Sequence, residues 1–306
     1  MEVNVIKGVL YGLAAVAMWA GYMSYASAGV SAGLTPSDFV ILRYGPAGLI
    51  MLMWMLRHSP RTLGGIGWGR GAALALFAGP VFVALGVGGY LFAPLSHGAV
   101  IQPSTVALLS LLLGWVVFGE AVTLGRIVGT AMILGGIVLI ASGFQNGPQS
   151  GAWRGDLMFA AGAVFWVTYT ALLKRWSIAA VPGTAAVAII SCVVVLPLFA
   201  VFDSFERLAA LDMTSLLIQI VVQGVLSGVL ALICFGSSVQ LLGAGRAALF
   251  PALVPAATLI VGIPVTGNIP TLVEWTGAVL ATTGLAVALG AIPLKFGSNR
   301  SRRNRA

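Results

Sequence analysis

The sequence has very little charge. Of its 306 residues only 8% are Asp, Glu, Lys or Arg, whereas 59% are hydrophobic, and the mean hydropathy is +1.03. A soluble domain has about 25% charged residues, so this composition excludes a water-exposed surface of the ordinary kind. It predicts an integral membrane protein. Since one crossing helix needs about 20 apolar residues and a short connection, the length accommodates roughly ten crossings.

Histidine and cysteine are also scarce. The only histidines are His58 and His97, and neither has a carboxylate at helical spacing, so a metal site or a Ser/His relay has almost no material. Cys192 and Cys234 both lie in apolar runs, which argues against a disulfide framework. The ATP-binding pattern G-x-x-x-x-G-K-[ST] does not occur. We therefore expect no catalytic residue, no metal and no cofactor.

The net charge of +8 raises the question of a nucleic-acid partner, but the positions of the cations argue against one. Five of the 16 lie in the basic tail, 295–306, and nearly all others lie in short gaps between apolar runs. With the N-terminus inside, 13 cations are cytoplasmic and only Arg43, Arg154 and Arg207 are outside, as the positive-inside rule requires. This distribution predicts a multi-pass protein of the bacterial inner membrane with both termini cytoplasmic.

The apolar runs place ten crossings along the chain. Their predicted ranges are 8–28, 38–56, 71–93, 98–118, 124–142, 155–173, 183–202, 214–238, 245–267 and 272–292. The expected fold class is therefore an all-α membrane protein of ten helices.

The chain repeats itself at a spacing of 147 to 148 residues. The aligned pairs are Gly8 with Gly155, Trp19 with Trp166, Tyr22 with Tyr169, Pro103 with Pro251, Gly119 with Gly267, Gly129 with Gly277, and Gly136 with Gly284. Each copy holds five crossings. Because five is odd, the second copy enters the membrane from the opposite face, as in transporters built from inverted repeats. We predict a first repeat over 1–146, a second over 147–294, and a basic cytoplasmic tail over 295–306.

The segment 103–136, with Gly119-Glu120 near its middle, resembles the EamA module of the drug/metabolite transporter superfamily. The second copy, 251–284, has the same outline but carries Asn268 in place of Glu120, which argues against a paired role for that carboxylate. The resemblance implies a ten-helix exporter whose two inverted halves surround a central substrate cavity. Within the superfamily the chain is most similar to exporters of aromatic amino acids.

Arg43 is the one ionisable residue well inside an apolar run, roughly 9 Å from the outer end of the second crossing. A charge is costly in lipid. We interpret Arg43 as a cation for a substrate carboxylate or as a gate; the alternative is that it snorkels to the headgroups or pairs with a carbonyl. Asp156 and Glu274 lie at helix ends, where solvation or the helix N-terminus explains them.

A cavity for an amphipathic solute needs apolar walls with a few hydrogen-bonding groups. Trp19 and Tyr22 lie three residues apart, on one helix face, and Trp166 and Tyr169 repeat this pair. All four lie near the middle of their crossings, where an interfacial anchor is less natural. We predict that they line the cavity; ordinary packing between helices is the alternative.

Further polar and aromatic groups complete the predicted binding site. Tyr90 in the first half corresponds to Ser238 in the second, and Gln240 also falls near the end of the eighth crossing. Gln102 adds a polar group beside a proline. Each alone is often a satisfied contact between helices.

Pro103 and Pro251 recur at matched positions, and each removes a backbone hydrogen bond and permits a kink. We predict that they are hinges for gating helices.

The leading hypothesis is a secondary transporter that exports aromatic amino acids or similar amphipathic metabolites by alternating access. Its expected partners are a small-molecule substrate and the lipid bilayer, with no nucleic acid; a monomer is one option for the assembly, which the sequence leaves open. The main alternative is a broad exporter of hydrophobic cations or drugs. A membrane-embedded enzyme acting on lipid-linked substrates and a passive channel are more remote.

Overall fold

The computed structural model describes residues 2–118, 123–142, 151–202, 205–243, 247, 250–290 and 292. Within these ranges all regular secondary structure is helical, in agreement with the predicted class. Glu120, the boundary between the predicted repeats at 146/147 and the basic tail lie outside the described residues.

Thirteen α-helices are described, some of them segments of a single crossing. They are α1 (Glu2–Ser31), α2 (Pro36–Leu56), α3 (Trp68–Ala78), α4 (Pro80–Gly88), α5 (Leu95–Phe118), α6 (Leu124–Ser142), α7 (Ala152–Arg175), α8 (Ala180–Phe202), α9 (Glu206–Ala209), α10 (Met213–Gln219), α11 (Ala231–Leu242), α12 (Val254–Thr266) and α13 (Leu272–Ala288). Short 3₁₀ turns lie at Pro60–Thr62, Gly89–Leu91 and Pro251–Leu253, and a π-helix at Ile220–Leu230.

Seven helical stretches in the described ranges are long and apolar enough to cross a membrane: Val3–Ser31, Pro36–Leu56, Trp68–Leu91, Leu95–Leu113, Ala152–Arg175, Ala180–Phe202 and Met213–Leu242. Three shorter apolar helices cover Leu124–Ile140, Pro251–Thr266 and Leu272–Ala288. Each stretch coincides with one predicted apolar run. The seven long stretches agree with the predicted multi-pass membrane protein, while the full set of ten crossings stays a prediction.

The third crossing is broken, although its apolar run predicts one helix over 71–93. α3 ends at Ala78 and α4 starts at Pro80, because proline has no backbone N–H to donate and disfavours helical geometry at the preceding residue. A Cβ atom on Gly79 would lie 2.0 Å from the Ala75 carbonyl oxygen, so the backbone turns where only glycine fits. The bend directs α4 towards α7.

The eighth crossing contains the π-helix between α10 and α11. Hydropathy places this crossing but does not distinguish a π-helix from an α-helix. π-Helical segments are uncommon and often occur at functional sites. In this segment Gln223 and Ser227 are buried, with exposures of 0% and 1%.

The fifth and tenth crossings, α6 and α13, meet through glycines. A Cβ atom on Gly129 would lie 2.5 Å from the Gly284 carbonyl oxygen, and one on Gly136 would lie 2.7 Å from the Gly277 carbonyl oxygen. The earlier glycine of α6 thus faces the later glycine of α13, so the helices run antiparallel. Glycine allows backbones to approach this closely.

Helix neighbours in one half have counterparts in the other. The helix α1 packs on α11 and α12, whereas α7 packs on α4 and α5; α2 packs on α8, and α6 packs on α13. When each helix is replaced by its counterpart in the other predicted repeat, every one of these neighbour pairs becomes a pair that also occurs in the structure.

Replacing Gly129 with alanine should lower stability, because the new methyl group must displace the α13 backbone. Overpacking of this kind costs about 1–3 kcal/mol. Gly125→Ala is the matched control on the same helix, since a Cβ atom there would lie 3.4 Å from its nearest neighbour beyond the helix, the Val287 carbonyl oxygen. Thermal unfolding of both variants in detergent measures the difference; equal unfolding temperatures would contradict this account of the contact.

Candidate functional site

Arg43 points into the bundle. Its residue is 7% exposed, and Nη1 donates a hydrogen bond to the Ser227 hydroxyl at 3.1 Å while Nη2 lies 3.5 Å from the Ser227 carbonyl oxygen. The guanidinium carbon lies 4.9 Å from the centroid of the Tyr22 ring, within the range of a cation–π interaction. These contacts place the charge at an interior site rather than among headgroups. Within the described chain, Arg43 forms no salt bridge with a carboxylate.

A small cavity lies beside this guanidinium. Arg43 and Tyr44 line it from α2, Trp166 and Tyr169 from α7, and Gly228 from the π-helix. The Trp166 and Tyr169 rings lie 5.2 Å apart between centroids, so they form one aromatic wall. The structure thus brings together Arg43, Trp166 and Tyr169, three of the predicted binding residues.

Tyr22 and Gln102 meet close to this group. A Cβ atom on Gly86 would lie 3.6 Å from both the Tyr22 hydroxyl and the Gln102 Nε2 atom, and a Cβ atom on Gly162 would lie 3.5 Å from that Nε2 atom. The absence of side chains at these two glycines leaves room for both polar groups. The Tyr22 ring thus lies beneath the Arg43 guanidinium, and its hydroxyl and the Gln102 amide both border Gly86.

The remaining predicted binding residues lie elsewhere in the bundle. Trp19 is half-buried and packs against Phe235, with ring centroids 5.4 Å apart. Tyr90 packs against Phe159 at 5.0 Å. Ser238 is buried and its hydroxyl has no hydrogen-bond partner among the described residues, whereas Gln240 is exposed.

The two predicted hinge prolines differ in setting. Pro103 lies inside the continuous helix α5, while Pro251 begins the 3₁₀ turn before α12.

A second polar group lies at the start of α2. Asp38 is fully buried and accepts hydrogen bonds from the Arg207 side chain, Nε to Oδ2 at 2.9 Å and Nη2 to Oδ1 at 3.2 Å. The backbone N–H of Thr35 also donates to Asp38 Oδ2, at 2.8 Å. Two parallel bonds between a guanidinium and a carboxylate make a strong, directional pair. This pair fixes the start of α2, and with it the register of Arg43.

A third polar group joins the starts of α5, α7 and α13. His97 is fully buried, and its Nδ1 atom lies 2.6 Å from Asp156 Oδ1. The neighbouring Ser96 hydroxyl donates a hydrogen bond to Glu274. Glu274 also accepts from the backbone N–H of Thr271 at 2.7 Å, which confirms that it serves the helix N-terminus.

Sequence reasoning missed the pairs made by Asp38 and His97. Their partners lie 169 and 59 residues away along the chain, and a search at helical spacing cannot detect such contacts. The sequence carried one signal for these pairs. Isolated charges occur at the starts of several helices, and the topology places those helix starts on one face of the membrane.

The described residues contain no cluster of three or more His, Cys, Asp or Glu side chains able to hold a metal ion.

Comparisons with known proteins match most of the chain. The model of the EamA-like transporter family matches twice, over residues 6–142 and 153–290. A search of curated proteins finds no significant match. A solved structure described as "Crystal structure of protein" is 18% identical, covers 92% of this chain and 96% of its own, and superposes with a TM-score of 0.61, which shows a shared fold.

The family match covers both halves and agrees with the apolar helices. Membrane transport of a small molecule, rather than catalysis, is therefore the role of this molecule in the lipid bilayer. The chain belongs to the EamA-like transporter family of the drug/metabolite transporter superfamily.

Proposed function

We propose that this protein exports aromatic amino acids, or similar amphipathic metabolites with a carboxylate, across the bacterial inner membrane by alternating access. The observation that carries the proposal is the buried guanidinium of Arg43, which forms no salt bridge within the described chain and lies at a cavity walled by Trp166 and Tyr169. A buried charge needs a counter-charge or several hydrogen bonds. A substrate carboxylate supplies both.

The aromatic wall favours a ring on the same substrate. The Trp166 ring centroid lies 5.3 Å from that of Phe82 and 5.2 Å from that of Tyr169, so neighbouring rings hold its indole in position. Aromatic rings prefer offset or tilted contacts at such distances. A substrate with a carboxylate next to an aromatic ring matches the cation and the aromatic groups that line the cavity.

The same charge argues against export of hydrophobic cations. A cationic drug at this cavity would face the Arg43 guanidinium without an intervening carboxylate in the described chain, and like charges in a poorly solvated site repel strongly. A passive channel lacks support because the cavity beside Arg43 is small.

Alternating access is supported by the polar contacts at helix starts. The pairs Asp38–Arg207, His97–Asp156 and Ser96–Glu274 each join a residue of the first predicted repeat to one of the second. Because successive crossings run in opposite directions, all even-numbered crossings begin on the same face of the membrane. The positive-inside distribution makes this the outer face. We infer that these contacts close the outer end, with both termini cytoplasmic and the repeats inverted.

A transport assay tests the substrate class. Full-length protein in liposomes should move labelled phenylalanine, tyrosine or tryptophan with saturable kinetics. Folded protein that moves none of them would overturn the proposal, whereas competition by cationic dyes alone would favour the rival class.

Arg43→Gln should reduce uptake of phenylalanine into proteoliposomes by about tenfold or more, since hydrogen bonds to charged groups contribute about 1.5–3 kcal/mol. Glutamine retains a polar side chain but has no charge. Arg126→Gln serves as the control, because Arg126 lies at the start of α6, outside the described Arg43 cavity. Equal losses in the two variants would argue against a carboxylate site at Arg43.

Trp166→Ala should slow phenylalanine transport severalfold, because it removes one wall of the cavity. We expect Trp19→Ala to slow transport less, since Trp19 packs on Phe235 and is not among the residues lining the Arg43 cavity. Initial rates at several substrate concentrations, normalised to folded protein, make the comparison. Wild-type rates for Trp166→Ala would remove it from the proposed site.

Arg207→Gln should open the outer end, because Asp38 then stays buried without its cation. In a background with Cys192→Ser and Cys234→Ser, a cysteine at the fully buried Ala26 reports the opening. A membrane-impermeant maleimide added outside should label it severalfold faster in Arg207→Gln. Arg154→Gln is the control, as the Arg154 guanidinium lies over the adjacent Trp153 ring; equal labelling in both variants would contradict the outer closure.

A further inference from the structure

A chain of buried amides runs along the eighth crossing towards Arg43. Gln219 Nε2 donates a hydrogen bond to the Tyr25 carbonyl oxygen at 2.9 Å, and Gln223 Nε2 donates to Gln219 Oε1 at 3.2 Å. Gln219 is 6% exposed and Gln223 is 0% exposed. The two amides therefore form one directed series that begins at a backbone carbonyl of α1.

The direction of the series is fixed by chemistry. An amide has an oxygen that accepts and a nitrogen that donates, so its partners fix its orientation. Here the Tyr25 carbonyl can only accept, so Gln219 must present its NH₂ group to it and its oxygen to Gln223. Gln223 must then present its own NH₂ group to that oxygen. The end of the series is necessarily the Gln223 oxygen.

This terminal oxygen is buried and has no hydrogen-bond partner in the described part of the chain. Buried acceptors are almost always paired, and an unpaired one calls for a specific explanation, such as a bound water or a ligand. The apolar surroundings of a membrane helix make an unused acceptor especially unfavourable. The Gln223 oxygen is therefore a ready acceptor for a donor that arrives from outside the protein.

The position of Gln223 relative to Arg43 indicates which donor this is. Ser227, which accepts the hydrogen bond from Arg43, lies four residues after Gln223, at most about 6 Å further along the helix axis. Gly228 allows the Arg43 side chain to lie against this helix, since a Cβ atom there would be 3.7 Å from Arg43 Cγ. Ser227, which binds the Arg43 cation, and Gln223, which carries the neutral acceptor, are thus about one turn apart on the same helix.

We propose that the Gln223 side-chain oxygen accepts a hydrogen bond from the ammonium group of a zwitterionic amino acid whose carboxylate binds Arg43. The inference rests on the proposed function and deepens it. An α-amino acid carries its ammonium and carboxylate groups on one carbon atom, so its binding site needs a cation and an acceptor near each other. Gln223 makes the site selective for amino acids over carboxylic acids with the same ring.

The test compares two ligands that differ in the ammonium group alone, phenylalanine and 3-phenylpropionate. Their dissociation constants are measured by calorimetry on the purified full chain in detergent, with wild type and Gln223→Met. Wild type should bind phenylalanine at least tenfold more tightly, since a site built to pair an N–H group discriminates against an analogue that lacks it. Gln223→Met should lose this preference while its affinity for 3-phenylpropionate stays within about twofold.

Gln223→Asn provides the conservative variant. It keeps the amide but withdraws it by one methylene group, so we expect a preference between those of wild type and Gln223→Met. Gln223→Asn also keeps the test decisive if Gln223→Met fails to fold. In Gln223→Asn the acceptor is displaced, so a preference for phenylalanine as large as that of wild type would overturn the inference.

Every other outcome is also decisive. Equal loss of both ligands in Gln223→Met would mean a structural role only, and an unchanged preference would mean no contact; each overturns the inference. Wild type that binds both ligands equally would overturn it and leave the proposed carboxylate site intact. Wild type that binds neither would overturn the proposed function together with the inference.

Discussion

The burial of one positive charge organises the centre of this protein. A guanidinium carries a positive charge, so the bundle must solvate that of Arg43 with protein groups. Ser227 does this from the π-helix and the Tyr22 ring does it from α1. Ser227 can reach Arg43 because the two helices approach closely: a Cβ atom on Gly224 would lie 2.9 Å from the Leu42 carbonyl oxygen. A glycine of the eighth crossing thus lets that helix reach the charge on the second.

Two kinds of contact join the halves, and they have different mechanical properties. The α6–α13 contact is made largely by backbone against glycine, since a Cβ atom on Gly136 would lie 2.7 Å from the Gly277 carbonyl oxygen. The contacts at the helix starts are made by polar side chains, which can replace their hydrogen bonds to each other with hydrogen bonds to water. We therefore expect the glycine contact to persist during the transport cycle and the polar contacts to break. This division suits a carrier that opens at its ends around a constant brace.

Hydropathy and the repeat were sufficient to locate the helices, because lipid imposes a minimum apolar length on every crossing. They were also sufficient to single out Arg43, Trp166 and Tyr169, since a charge in an apolar run and a repeated aromatic pair are visible along the chain. The break at Gly79 and the π-helix were missed because both are backbone events within uniformly apolar sequence. The His97–Asp156 pair was missed because helix packing, rather than spacing, brings its members together.

The internal repeat sharpens the meaning of the charge in the cavity. Tyr22 and Tyr169 correspond across the repeat and both lie near the guanidinium, one beneath it and one in the cavity wall. The position that corresponds to Arg43 at the same 147-residue shift is Ile190, which carries no charge. A site with aromatic groups in both halves but a cation in only one cannot treat the two ends of a ligand alike. Such a site therefore has a direction, and a substrate with a distinct carboxylate end is the kind of ligand that it orients.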